Sequence, residues 1–389
     1  MNPVRIEAAF LADPALAAVL DVLPEARIVG GAVRDALAGS PVADIDLASP
    51  LKPDAVMDRL RAAGLKAVPT GLAHGTVTAV AAHRGFEITT LRRDVETDGR
   101  HAVVAFTDDW REDAARRDFT INAMSLARDG TVHDYFGGRD DLRAGIVRFV
   151  GDPATRIAED YLRVLRFFRF QARYGSAAPD AAALAAIAHA VPGLARLSAE
   201  RVWSEVKRIL AAPDPRQAIA LMERLGVLAA VLLEGAAPGR LDALIARGAP
   251  PAPLLRLAAL LEGDADALAA RLLLSGDEHA DLAALRAAPG LAPTASDADL
   301  RRALADTPPV VLTGRAWLAH GDAGLIARIA AMPVPHFPLR GRDLAATGVA
   351  PGVAMGALLR DLRQWWLDGG CLADAAACRA ELARRLGSA

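Results

Sequence analysis

The stretch Ile28-Val-Gly-Gly-Ala-Val-Arg34-Asp35, followed by Asp44-Ile45-Asp46, constrains this chain more than any other, because it reads as a strand, a glycine turn, a short helix and a second strand. Gly30 and Gly31 carry no side chains, so backbone N–H groups at the start of the helix can approach a polyphosphate. Arg34 adds a fixed cation. Asp44 and Asp46 are two residues apart, and on a strand both carboxylates point to one face, close enough to hold Mg²⁺ jointly. Together these elements outline a site for nucleotidyl transfer, in which two metals activate an attacking hydroxyl and stabilise leaving pyrophosphate. Taken singly, a Gly-Gly turn or an Asp-x-Asp pair is more often a loop or capping feature. Neither Gly-x-Gly-x-x-Gly after a strand nor a P-loop glycine-lysine motif occurs, so dinucleotide and P-loop readings lose support.

Further motifs follow in order: Glu87-Ile-Thr-Thr-Leu-Arg92, Asp98-Gly-Arg100-His101, Arg116-Arg117-Asp-Phe-Thr-Ile-Asn122, Glu159-Asp160-Tyr-Leu-Arg163-Val-Leu-Arg166 and Glu200-Arg201-Val-Trp-Ser-Glu205. In order and spacing, residues 26 to 210 resemble the class II tRNA nucleotidyltransferases, the family of CCA-adding enzymes and bacterial poly(A) polymerases. One departure is Ser49, where the family usually has Thr; the hydroxyl is kept.

At 389 residues the chain has room for two or three domains. Its formal charge of −2 excludes a polybasic coat, so RNA contacts must come from local clusters. Those clusters are arginine, since Lys52, Lys66 and Lys207 are the only lysines, although base composition of the genome is reason enough for most of the arginines. Cys371 and Cys378 lack Cys-x-x-Cys spacing, which points to neither a disulfide framework nor a zinc site and fits a reducing cytoplasm. The N-terminus carries Arg5, Glu7, Asp13 and Pro14 instead of an apolar signal segment, and the apolar run Leu225 to Leu233 falls short of the ~20 residues that span a bilayer, so no membrane role is expected.

The first 140 residues alternate β-type runs (Ala26–Val29, Thr76–Ala81, Glu87–Leu91, Val103–Phe106, Thr131–Tyr135) with two helical patterns, predicting an α/β head. From Asp152 onward, Ala/Leu-rich helical segments are separated by proline loops at Gly248–Pro253, Thr307–Pro309 and Met332–Pro338, predicting an all-α remainder without a fixed repeat. The expected fold is therefore an α/β nucleotidyltransferase head over 1–140, a helical neck over 141–215, and a helical, tRNA-binding body and tail over 216–389.

Asp152-Pro153 and Gly175 bracket one predicted helix, with Asp a good N-cap and Pro suited to the first turn. At about 100° per residue, Ile157, Tyr161, Val164, Leu165, Phe168 and Ala172 share an apolar arc, opposite Arg156, Glu159, Asp160, Arg163 and Arg166. On its own this describes an amphipathic helix with solvated ion pairs. The resemblance implies instead that the helix replaces a nucleic-acid template. Asp160 would accept from the amino group of cytosine or adenine, and Arg163 would donate to the ring nitrogen of either base and to O2 of cytosine. Guanine and uracil present the opposite order and would leave polar groups unpaired.

By the same resemblance, Glu87 is a third catalytic carboxylate, able to assist the metal or accept the primer proton, or else an exposed strand residue. Gly30, Gly31, Arg34, Arg117, Asn122, Arg166 and Arg169 would bind the nucleotide, although Arg169 lies off the polar face; for Arg117 this is favoured over pairing with neighbouring acids. Asp94 to Phe106, with Arg100 and His101, resembles a flexible loop that switches addition from C to A, or is a plain hairpin. His133-Asp134 reads as structural, with no phosphohydrolase domain expected, and Glu200, Arg201 and Glu205 read as a helix-stabilising ion-pair network. Phe337 to Leu344 resembles a tail that reaches the far end of tRNA, while Trp365 and Trp366 could be core.

The implied activity is addition of C, C and A from CTP and ATP to the 3′ end of tRNA, with Asp44 and Asp46 holding two Mg²⁺ ions. A poly(A) polymerase, a CC-adding enzyme and an inactive RNA- or nucleotide-binding protein are the alternatives.

Overall fold

A computed structural model describes residues 4–98, 101–176, 178–288 and 290–387. The chain forms two compact units, one up to Leu233 and one from Glu234.

The first unit is built on an eight-stranded sheet in the order β1-β10-β9-β2-β3-β6-β5-β4. The strands are β1 (Val4–Arg5), β2 (Arg27–Val29), β3 (Asp46–Ser49), β4 (Lys66–Gly71), β5 (Thr76–Ala81), β6 (Arg84–Thr90), β9 (Met124–Leu126) and β10 (Thr131–Asp134). All pairs are antiparallel except one, where β3 runs parallel to β6 with Asp46 opposite Glu87 and Ile88 beside Leu47. Two further strands, β7 (Arg92–Asp98) and β8 (His101–Phe106), form a separate antiparallel ribbon.

Helices α1 (Pro14–Val22), α2 (Gly31–Leu37) and α3 (Pro53–Ala62) supply the apolar cover. Asp13 starts α1 by accepting the Ala15 N–H at 2.9 Å, and Pro14 takes the first position, where no N–H is needed. Leu16, Leu20, Val33 and Leu60 pack onto Ile28, Leu47, Val77, Phe86 and Ile88 in one buried core. Strand alternation does the sorting: in β6, Phe86 and Ile88 are buried and Glu87 between them is exposed.

Helices α4 (Trp110–Ala115) and α5 (Gly138–Ala144) lead into the helical part. His133-Asp134 is structural as expected: Asp134 sits at the end of β10 and its carboxylate accepts the N–H groups of Phe136, Gly138 and Arg139, fixing the start of α5. The predicted single helix over 153–174 is two, α6 (Pro153–Glu159) and α7 (Leu162–Tyr174). Asp160 is extended (φ −155°, ψ 106°) and its carboxylate caps the second helix through the Leu162 N–H at 3.1 Å. Phe167 and Phe170 on α7 join Phe119 and Phe149, whose rings are 4.8 Å apart, while the Phe167 and Phe149 rings stack at 6.1 Å. Burying each ring contributes about 1.5–3 kcal/mol, enough to fix α7 against the segment that follows α4. Helices α8 (Ala181–Ala190), α9 (Ala199–Leu210), α10 (Arg216–Arg224) and α11 (Val227–Val231) complete the unit, with α9 and α10 packed on α7.

The second unit is helical among its described residues: α12 (Pro238–Ala246), α13 (Pro253–Leu260), α14 (Ala265–Leu272), α15 (Gly276–Arg286), α16 (Asp297–Asp306), α17 (Pro309–Leu318), α18 (Ala323–Ala331), α19 (Gly341–Ala345), α20 (Val353–Asp368) and α21 (Ala375–Gly387). Pro253 and Pro309 from the predicted loops open helices. Trp366 is core, packed with Leu344, Leu362 and Leu382 and donating to the Ala373 carbonyl at 3.0 Å, and Cys371 and Cys378 are buried free thiols. No described helix is long and apolar enough to cross a membrane.

Candidate active site

At the end of β2 the backbone turns through Gly30 with φ +68° and ψ −125°, a conformation open to glycine and little else. A Cβ there would also lie 3.0 Å from Arg117 Nη1. The turn delivers Arg34 on α2, which is buried and fully engaged. Its Nη1 donates to Asn122 Oδ1 at 2.6 Å, its Nε and Nη2 donate to Asp35, and its guanidinium stacks over Tyr174, 4.6 Å from the ring centre. Tyr174 in turn donates its hydroxyl to Asp35 Oδ1 at 2.5 Å. The arginine is thus held in one place before any ligand arrives.

Asp46 is the first residue of β3, so Asp44 lies just before the strand and not on it, contrary to expectation. Alternation still holds, with Asp44 and Asp46 exposed while Leu47 enters the core and Ile45 packs against its edge. Desolvation by the surrounding protein atoms, then the negative charges of Glu87 and Asp44, raise the Asp46 carboxyl above its ordinary value against the pull of Arg117. This is a carboxylate cluster with more negative charge than its surroundings neutralise.

Opposite stands a clamp centred on Asp118, a buried residue. Its Oδ1 accepts the Phe119 N–H and Asn122 Nδ2, both at 2.9 Å, and its Oδ2 accepts Arg166 Nε at 2.7 Å and pairs with Arg166 Nη2. Burial alone would push Asp118 up, but the Arg166 charge and these hydrogen bonds prevail and hold it below the usual carboxylate range. Asn122, donating to Asp118 and accepting from Arg34, joins the helix after the glycine turn to α7. Arg117 pairs with Asp113 at 3.2 Å and still lines the cleft.

At the break between α6 and α7, Arg201 Nη2 of α9 donates to Asp160 Oδ2 at 2.7 Å. Arg163 Nη1 donates to the Arg156 carbonyl at 2.6 Å and to Glu159. Arg156, expected on the solvated face, is buried instead, donating to the Arg117 carbonyl at 3.0 Å and pairing with Glu159. The expected ion-pair network along α9 runs mostly between helices. Glu205 lies 3.1 Å from Arg169 Nε and 3.9 Å from Arg166 Nη1 on α7, with Arg208 on its own helix at 3.6 Å. Desolvation, with Arg166 and Arg208 nearby, pushes Arg169 down to about 10, so it stays charged at neutral pH.

These groups line a cleft of about 480 Å³. Gly30, Gly31, Arg34, Asp46, Arg117, Asn122, Asp160, Arg163, Arg166 and Arg169 all face it, including Arg169, which helical periodicity placed off the polar face. Asp44 and Glu87 are not in its wall but act on Asp46 from beside it. His101 begins β8, and Arg100 lies outside the described residues. Sequence reasoning missed Asp118, Arg201 and Phe170 as members of the wall. Asp118 stood inside a quoted motif, and a lone acid between Arg117 and Phe119 was the available signal. With six arginines (34, 117, 163, 166, 169, 201) against three aspartates (46, 118, 160), the lining is cationic, as a polyphosphate site requires.

A glycine turn and paired carboxylates at one end of the cleft, with fixed arginines and a broken helix at the other, define a nucleotidyltransferase. Residues 26–148 match the family described as "Poly A polymerase head domain", and residues 178–237 that described as "Probable RNA and SrmB- binding site of polymerase A". The mitochondrial CCA tRNA nucleotidyltransferase 1 of Mus musculus is 38% identical over 89% of this chain and 83% of its own length. The CCA-adding enzyme of Geobacillus stearothermophilus is 39% identical over 52% of this chain and 50% of its own. Among solved structures, the Bacillus stearothermophilus CCA-adding enzyme in complex with CTP superimposes with a TM-score of 0.75 at 25% identity, covering 97% of this chain and all of that one. The chain belongs to the CCA tRNA nucleotidyltransferase family.

Proposed function

We propose that this protein adds C, C and A, from CTP and ATP, to the 3′ end of tRNA, releasing pyrophosphate at each step. The observation that carries the reading is the cleft itself, which sets an under-neutralised carboxylate cluster at Asp46 opposite a fixed arginine wall that ends at Asp160 and Arg163.

The donor set fits Mg²⁺. Asp44, Asp46 and Glu87 offer hard oxygen ligands, and a divalent cation would offset both the desolvation of Asp46 and the repulsion from Glu87 and Asp44 that raise it. Among the described residues no three acidic, His or Cys side chains form a ready cage, so the ion's remaining ligands would have to come from substrate phosphates and water. Asp44 and Asp46 would hold the ions, with Glu87 assisting. When bound, the two ions lower the pKa of the terminal ribose hydroxyl and neutralise charge on the leaving pyrophosphate.

The chain's own groups do the rest. Arg34, immobilised by Asp35 and Asn122, meets the β,γ-phosphates beside the Gly30-Gly31 turn, and Arg117 and Asn122 steady sugar and phosphate. Asp160 keeps free lone pairs on both oxygens for an exocyclic amino group, while Glu159 fixes Arg163 so that its remaining donors point to the ring nitrogen. Arg166 and Arg169 contribute their charge to the same pocket. We assign the switch from C to A addition to the β7–β8 segment with Arg100 and His101, base selection to a neck over 141–215 that follows a head over 1–140, and tRNA contact to a body and tail over 216–389. The buried free thiols suit a reducing compartment such as the cytoplasm.

The test is incorporation of each labelled NTP, with Mg²⁺, on tRNA transcripts ending before, within and after CCA, resolved to single nucleotides. Addition that halts after CCA is the expected result, and Asp46→Asn should abolish it while tRNA binding persists. ATP-only tails, addition of CC alone, or no incorporation would each replace the proposal.

A further inference from the structure

The unit from Glu234 contains a recess of about 430 Å³ walled by α12, α13, α15 and α17. Its floor is apolar, with Leu244, Leu285 and Leu318. Its polar groups are Arg240, Arg247, Arg286 and His320, and no Asp or Glu is among its described lining residues. A recess with three guanidiniums and no carboxylate is unusual in a chain whose acids outnumber its bases, 47 to 45.

The three arginines are differently committed. Arg286 donates to the carbonyls of Ala258, Leu261, Glu262 and Gly263 at 2.6–3.1 Å, closing the C-terminal end of α13. Arg247 gives Nη2 to the Trp317 carbonyl at 3.0 Å, but its Nε is buried without a hydrogen-bond partner. Arg240 is exposed, and its side chain makes no hydrogen bond or salt bridge among the described residues. Burial, then the like charge of Arg240, pulls Arg286 below its ordinary value; Asp264 opposes this, and its Oδ1 already accepts the Asp266 N–H at 2.9 Å at the start of α14. Like charges over an apolar floor repel one another, and an anion with several acceptor oxygens would turn that repulsion into attraction. Guanidinium forks match the spacing of phosphate oxygens.

We propose that this recess binds a phosphate group, carried either by a free small anion such as pyrophosphate or by the backbone of an RNA seated over its mouth. Arg240 and Arg247 supply the free donors, His320 closes the rim, and Arg286 holds the frame. The residues lie wholly in the second unit, so the free-anion case stands apart from the chemistry proposed for the head, while the RNA case rests on the tRNA contact proposed for 216–389.

The experiment is hydrogen–deuterium exchange on the full chain, with inorganic pyrophosphate in one arm and a tRNA transcript lacking CCA in the other. Arg240→Ala/His320→Ala serves as the control because both side chains are exposed and leave the Arg286 contacts intact. Protection of peptides over 238–246 and 309–320 by pyrophosphate, weakened about tenfold or more in affinity by the double substitution, supports a free-anion site. Protection of those peptides by the transcript alone, with tRNA affinity and its salt dependence both reduced in the variant, supports an RNA phosphate. No protection in either arm, or protection that the double substitution leaves unchanged, overturns the proposal. Exchange over 26–49 and 153–174 reports the first unit in the same samples, so a failure there is read separately.

Discussion

Replacing Asp118 by Asn tests whether the clamp behind the cleft is the interaction that fixes α7. The acid has four donors on two oxygens: the Phe119 N–H and Asn122 Nδ2 on one, Arg166 Nε and Nη2 on the other. An Asn amide has one acceptor oxygen and one donor nitrogen, so in either orientation two N–H groups face its NH₂. Breaking a buried ion pair on one side costs about 3–5 kcal/mol. Arg166 retains Glu205 at 3.9 Å, and the Phe119 contact can survive, so the lower end applies. A loss of about 3 kcal/mol corresponds to a roughly 150-fold larger opening equilibrium for α7. Native-state hydrogen exchange at neutral pH reads this directly as lost protection over 162–174, with peptides of the second unit as an internal reference. The pH dependence has a definite sign. Because the folded Asp118 is held below 3.8, its stabilisation is complete above that ordinary value and fades as pH falls through the lower folded one. The gap between parent and variant should therefore narrow only at acidic pH. Less than threefold change in α7 protection, or an equal change in the second unit, would refute the assignment.

Gly30→Ala places a Cβ at φ +68° and 3.0 Å from Arg117 Nη1, so it should cost about 1–3 kcal/mol in thermal unfolding and reduce nucleotide incorporation more than tRNA binding. Arg163→Ala should lower discrimination of CTP and ATP over UTP and GTP by about tenfold or more in kcat/KM, and unchanged discrimination would remove it from base selection. Asp134→Ala strands three N–H groups at the start of α5 and should cost about 1–2 kcal/mol, measured by urea unfolding, without altering the nucleotides chosen.

Local signals made the head legible. The Gly-Gly turn needs a positive φ, and the strands Thr76–Ala81 and Thr131–Asp134 show the alternation or β-branching that a half-buried sheet requires. The edge strand Lys66–Gly71 was not read, because Pro69 and a register shift between Val68 and Gly71 interrupt its pattern. The break at Asp160 was invisible for another reason. Ile157, Tyr161, Val164 and Leu165 keep helical spacing across it, while the contact with Arg201 that holds Asp160 there comes from 41 residues away. Arg156 likewise looked solvated on a wheel, yet the carbonyl it finds belongs to Arg117, 39 residues back. Periodicity reports which way a side chain leaves its own helix and carries no information on what another segment brings to meet it.

The Asp118–Arg166 pair also bears on the order in which the chain is made. The acid leaves the ribosome 48 residues before its arginine, and Glu205, which steadies that arginine, emerges later still. Until then the strands that present Asp46 and Glu87 exist beside an unmatched negative charge destined for burial. The carboxylates of the head can thus be synthesised early, but the wall facing them becomes complete only when α9 has docked. A chain cut before α9 would therefore keep the acid and lose the group that steadies its arginine.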